Sequence, residues 1–114
     1  MEKPLSKRAI LAQNIASLVT QLHLTSPYGG EVHQQDKYYS IGFSKSAILD
    51  GEVRVYSEKF IQISWQTAIR DLPLKDSLVF ESIEHAEQFL KLAFVSYDYE
   101  QAFNIPVKTK KAKV

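Results

Sequence analysis

The sequence predicts an α+β domain: an antiparallel sheet of three to four strands, with an N-terminal and a C-terminal helix packed on one face, in the order α-β-β-β-β-α. Three observations predict it. Apolar residues recur at helical spacing near both ends, at Leu11, Ile15, Leu18 and Leu22 and again at Ile83, Ala86, Leu90, Ala93, Phe94 and Tyr97. Between them, apolar and polar residues alternate with the period of a half-buried strand, as at Tyr39-Ser40-Ile41-Gly42-Phe43. The helical patterns flank the strands instead of interleaving with them, which favours helices laid on one face of an antiparallel sheet.

The first helix is expected over residues 6–23, with Ser6 as N-cap and Ala12 and Val19 widening its apolar stripe. Pro27 and the Gly29-Gly30 pair end it. The segments 52–56 and 60–65 read as a hairpin. Pairing Tyr56 with Phe60 sets Val55 against Ile61 and Val53 against Ile63, so that all four apolar groups share one face. A slip of one residue would scramble both faces. This register leaves a three-residue loop at Ser57-Glu58-Lys59. Asp50-Gly51 is a turn dipeptide. It would close a further hairpin between 46–49 and 52–55, with a bulge near Lys45 reconciling the parity of Ile48 with that of Ile41 and Phe43. A short strand is expected at 77–80.

The second helix is capped by Ser82, with Glu84 in its first turn, where a negative charge suits the helix dipole. Its later half, Leu92-Ala93-Phe94-Val95, leaves little polar face, the pattern of a helix covered on more than one side. Residues 98–103 add a helical turn or two before Ile105-Pro106 stops them.

A chain of 114 residues is expected to form one domain, 1–106, followed by a basic, disordered tail, 107–114. Four of the last seven residues are Lys108, Lys110, Lys111 and Lys113, and without them ten basic groups face thirteen acidic ones. The body is therefore negative and the tail positive. Residues 76–100 hold six acidic groups against Lys91 alone, the nearest target for the tail lysines. The chain has no cysteine, which removes disulfides and thiolate chemistry and fits a cytoplasmic protein. No apolar run approaches the ~20 residues of a membrane helix, and the segment from Met1 to Pro4 lacks the long apolar run expected of a secretory signal.

Catalytic patterns are missing. The four glycines form neither a dinucleotide nor a phosphate-loop fingerprint, and no G-x-S-x-G is present. His23, His33 and His85 lack the i, i+4 spacing of a helical metal site; His33 with Asp36 is the best of poor metal candidates. Lys3, Lys7 and Arg8 oppose the dipole at the start of the first helix, a cost that a bound anion would relieve. No enzyme activity, cofactor, metal or membrane partner is expected.

The leading expectation is a small non-catalytic protein-interaction module that associates with itself as a homodimer, or with another protein. Its interface residues would be Leu92, Phe94 and Val95 on the second helix and Tyr56 and Phe60 on the sheet. The alternative is an accessory, weak nucleic-acid binder. It would stack bases on Tyr56 and Phe60 beside Arg54, with Tyr38 joining them, and hold phosphates with Lys108, Lys110, Lys111 and Lys113.

Overall fold

The computed structural model describes residues 6–24, 31–45, 48–68 and 74–108. Helix α1 (Lys7–Gln21) is followed by five strands: β1 (Val32–Gln34), β2 (Tyr39–Lys45), β3 (Leu49–Ser57), β4 (Phe60–Thr67) and β5 (Lys75–Phe80). Helix α2 (Ile83–Phe94) and the short α3 (Tyr99–Ala102) close the order. All strand pairs are antiparallel, and the sheet runs β1-β2-β3-β4-β5 in sequence order. The fold is α+β with an antiparallel sheet, one strand larger than the sequence suggests. The added strand, β1, is only three residues long, too short for alternation to declare it.

Both helices start where capping predicts. The Ser6 hydroxyl accepts the Ala9 N–H at 3.1 Å, and the Ser82 hydroxyl accepts those of Glu84 and His85 at 3.1 and 3.4 Å. The face α1 buries centres on Ala12, Ile15, Ala16 and Val19, while Leu11, Leu18 and Leu22 flank it, half-buried. Small alanines let the helix lie close to the sheet. The end of α1 is a Schellman motif. His23 takes the left-handed conformation at φ 59°, its N–H reaches Thr20 O at 3.1 Å, and the N–H of the buried Leu24 reaches Val19 O at 2.9 Å. His23 is thus a backbone terminator, a role its side chain does not announce.

The hairpin keeps the expected register where it matters: Val53 faces Ile63, Arg54 faces Gln62 and Val55 faces Ile61. Its tip differs. Ser57, not Tyr56, pairs with Phe60, and the ladder bulges between Val55 and Ser57, leaving a turn of Glu58 and Lys59. No residue there takes a positive φ. Tight two-residue hairpin turns rely on positive φ, so the extra residue of the bulge takes up the twist instead.

Asp50-Gly51 is not a turn. Both residues lie inside β3, and β2 runs on to pair Lys45 with Leu49. The inward parity belongs to Leu49, not to the exposed Ile48, so no bulge near Lys45 is needed. Gly51 pairs with Phe43 on one side and Trp65 on the other, all three on the inner face. A Cβ there would stand 2.6 Å from Phe43 Cε1 and 2.6 Å from the Ser64 carbonyl oxygen. The glycine exists so that the Phe43 ring can lie over the strand.

That ring begins an aromatic cluster beneath α2. Phe43 stacks on Phe94 at 5.1 Å, Trp65 meets Phe89 at 5.5 Å and Phe94 at 5.7 Å, and Phe80 meets Phe89 at 5.4 Å. Ile41, Val53, Val55, Ile61 and Ile63 complete the core under α1 and α2. Burying each such side chain stabilises the fold by roughly 1.5–3 kcal/mol. Lys45 holds the far end of α2 to the sheet by donating to the Phe94 carbonyl at 3.2 Å and to the Tyr97 hydroxyl.

The ordered chain passes the expected boundary at 106. Val107 packs against the core, the Lys108 N–H donates to Val79 O at 2.6 Å, and Lys108 Nζ lies 3.8 Å from Glu81. One lysine of the tail therefore meets the acidic strip, as its charge suggests. Lys110, Lys111 and Lys113 lie outside the described residues. The contact also blunts the β5 edge, where the Asp76 carboxylate accepts the Ser77 N–H at 2.8 Å.

The Gly51 packing makes a direct prediction. Gly51→Ala destabilises the protein by about 1–3 kcal/mol through overpacking. Trimming the ring with Phe43→Leu in the same chain costs less than the two single changes added together. Chemical denaturation of the four proteins of the cycle measures the coupling; additive costs would show that the two residues do not compete for the same space.

Candidate functional site

Both helices cover the inner face, so the odd positions of β3 and β4 are buried. The even positions form the opposite face: Ser40, Glu52, Arg54, Gln62, Ser64 and their neighbours. Alternation along each strand assigns this division, and the register aligns it across the sheet.

One end of this outer face carries an aromatic ladder. Tyr38 and Tyr56 have ring centroids 5.1 Å apart, and Tyr56 meets Phe60 edge-on at 5.2 Å. These are favourable aromatic geometries. All three rings are half-buried and stand apart from the core cluster. Tyr56 keeps its contact with Phe60 although the ladder bulges between Val55 and Ser57.

Arg54 is fixed within the ladder. Its guanidinium lies 4.6 Å from the Tyr38 ring centroid, and its Nε donates to Glu52 at 3.0 Å. Glu52 also accepts a hydrogen bond from the nearly buried Ser40 hydroxyl. The Arg54 pKa is raised, first by its hydrogen bond to Tyr56 and then by Glu52, against an opposing cost of burial. The cation is thus held by ring, hydroxyl and carboxylate. With both partners about one-third exposed, the Arg54–Glu52 pair adds well under about 1 kcal/mol to stability. Its effect is to fix orientation.

Further along the same face lies a shallow depression of about 560 Å³, lined by Asp50, Glu52, Ser64, Gln66, Lys75 and Asp76 among others. Gly42, Ser44 and Ser77 neighbour these residues in the ladder, and their short side chains keep the surface low.

The other expected site residues fall differently. Phe94 is 0% exposed within its own chain, so it is core and not interface. The apolar half of α2 is covered by Phe43, Trp65 and Phe89, which lets one small domain bury a nearly all-apolar helix turn. Leu92 is half-buried against that core, and only Val95, at 38%, reaches the surface. Lys108 sits beyond α3, against Val79 and Glu81, and not on the aromatic face.

Lys7 and Arg8 need no bound anion. Lys7 pairs with Glu58 at 3.3 Å, and Arg8 donates to Lys37 O at 3.1 Å and Tyr56 O at 3.4 Å. Lys3 lies outside the described residues. His33 lies 3.7 Å from Glu31 on the exposed strand β1, and no group of three metal-ligating side chains occurs among the described residues. Nor is any helix among them long and apolar enough to cross a membrane.

Comparisons with models of known protein families, with curated proteins and with solved structures find no match. The outer face must therefore be read from its own chemistry.

Glu87, on α2 away from this face, has its carboxyl raised above the ordinary range, by burial first and then by Glu84, with Lys91 opposing. The folded state then holds the proton more tightly than the unfolded state, so stability falls as pH rises through the carboxylate range from 4.5 upward. Glu87→Gln removes that loss and stabilises the protein at neutral pH by up to about 0.5 kcal/mol, a small gain because the group is only partly buried. Thermal melts at acid and neutral pH check it: the variant's advantage should vanish below the carboxylate range.

Proposed function

We propose that the chain is a small, non-catalytic protein-interaction module that binds through the uncovered face of its sheet. The observation that carries this reading is the Tyr38–Tyr56–Phe60 ladder with Arg54 fixed inside it, on the face that neither helix covers. Tyrosine and arginine are the residue types that dominate binding energy at protein interfaces, where truncating a central anchor costs about 2 kcal/mol or more. Anchors on paired strands, already stacked on one another, lose little conformational freedom on binding. With Phe94 buried, the expected contact surface narrows to its sheet residues, Tyr56 and Phe60.

The nucleic-acid reading keeps its stacking rings but loses its charge. Arg54 is engaged by Glu52, and Asp50 stands two residues further along the same face. A phosphate backbone crossing the sheet would meet carboxylates.

A photo-reactive phenylalanine analogue replacing Gln62, beside Arg54 in the ladder, tests the proposal in living cells. The expected result is a cross-linked adduct that protease destroys and nuclease leaves intact. The adduct should be lost when Tyr56→Ala and Phe60→Ala are added, with the fold confirmed by circular dichroism. No adduct, or one that nuclease removes, contradicts the reading.

A further inference from the structure

Resting on that binding reading, we infer that the segment taken up by the ring ladder is an uncharged, proline-rich stretch of another protein, held in the polyproline II conformation and laid across the strands. Two rows cross this end of the outer face side by side. The first is Tyr38, Tyr56 and Phe60, with ring centroids 5.1 and 5.2 Å apart. The second is Ser40, Arg54 and Gln62, which the register sets directly opposite one another on β2, β3 and β4. Ser40 is spent on Glu52. Arg54 gives its Nε to Glu52 and a further hydrogen bond to Tyr56, which leaves guanidinium N–H groups over. The Gln62 amide reaches Ser77 at 3.5 Å, longer than the usual hydrogen bond. The strip is therefore an apolar ridge one ring wide, with hydrogen-bond donors along one flank.

Polyproline II is the backbone that such a strip suits. It has no internal hydrogen bonds, so its carbonyls are open to outside donors, and its stiffness leaves little conformational freedom to lose on docking against aromatic rings. Its repeat is roughly three residues and 9 Å per turn. Tyr38 and Phe60 rise from stretches of chain two strand spacings apart, roughly 9.5 Å, so residues one polyproline turn apart fall over the two outer rings. An α-helix has a pitch of about 5.4 Å, close to the ring spacing, but its carbonyls are spent inside it and would leave the donor row unanswered. An extended peptide joins a sheet through an edge, not a face. Charge points the same way. The cation in contact with the rings, Arg54, is answered by Glu52 of its own chain, so the matching segment is an uncharged one.

Fluorescence anisotropy tests the inference, with the full chain titrated into end-labelled decaproline and into a labelled glycine–serine peptide of the same length. Decaproline should bind saturably, and the glycine–serine peptide should not. Because no charge pairs across the contact, the affinity should hold from low to high salt. Tyr56→Ala should weaken binding by at least about tenfold, the loss of one ring anchor. Phe60→Leu, which keeps apolar bulk but removes the ring, should weaken it severalfold, with circular dichroism showing both variants folded. No saturable binding, equal binding of the two peptides, a steep fall with salt, or an affinity that neither folded variant changes overturns the inference. The Gln62 cross-link separates the two levels. A protein adduct alongside a decaproline that does not bind removes the proline-rich segment and leaves the binding module standing, whereas no protein adduct and no decaproline binding removes both.

Discussion

One register governs this molecule. With Val53 opposite Ile63 and Val55 opposite Ile61, the inward side chains of β2, β3 and β4 fall on one face and the polar ones on the other. Because side chains alternate strictly, a slip of one residue would reverse the two faces. The row Phe43–Gly51–Trp65 locks the register in place. Two large rings flank a position where only hydrogen fits, and the Phe43 ring fills the space above it. Under any other pairing of β2 with β3, a side chain would meet that ring. Both helices then have a single apolar surface on which to dock, and the second face of the sheet is left to solvent or to a partner.

Much of this was legible in the chain, for physical reasons. Alternation in residues 52–65 carries the hairpin register, and helical spacing with serine caps carries α1 and α2. What escaped depends on tertiary context. Asp50-Gly51 looks like a turn because local propensity favours one, but Phe43 requires the glycine inside a strand, and packing overrides the dipeptide. Leu92 to Val95 looks like a surface awaiting a partner because sequence cannot count how many aromatic rings one small core holds; Phe94 meets three of them. His23 reads as a helix-end cation, yet its contribution is the left-handed backbone turn at φ 59°. Of the candidate site, Tyr56, Phe60 and Arg54 were found by parity alone. Tyr38 beside them follows from the same parity; the bulge between Val55 and Ser57 was not readable, because it depends on the geometry of the turn.

Several charges on the surface are answered locally. Lys7 is matched by Glu58, Arg54 by Glu52, and Lys108 by Glu81. Surface pairs of this kind contribute little stability each. They do restrain side chains and leave few cations exposed on the sheet. The basic tail, which in isolation suggests polyanion binding, begins by anchoring its first lysine to the acidic region of its own chain. Its backbone N–H covers part of the β5 edge at the same time, so it guards against strand addition there.

Everything above requires that one face of the sheet be closed by the chain itself and the other left bare. Because the chain contains no cysteine, thiol labelling at introduced positions measures this directly. Ser64→Cys on the outer face and its neighbour Ile63→Cys on the inner face should differ sharply in dilute, folded protein. The outer thiol should react at close to the rate of the denatured chain, and the inner one only as fast as the protein unfolds. Equal rates at the two positions would contradict a one-sided sheet, and with it the register, the open face and the binding surface built on them.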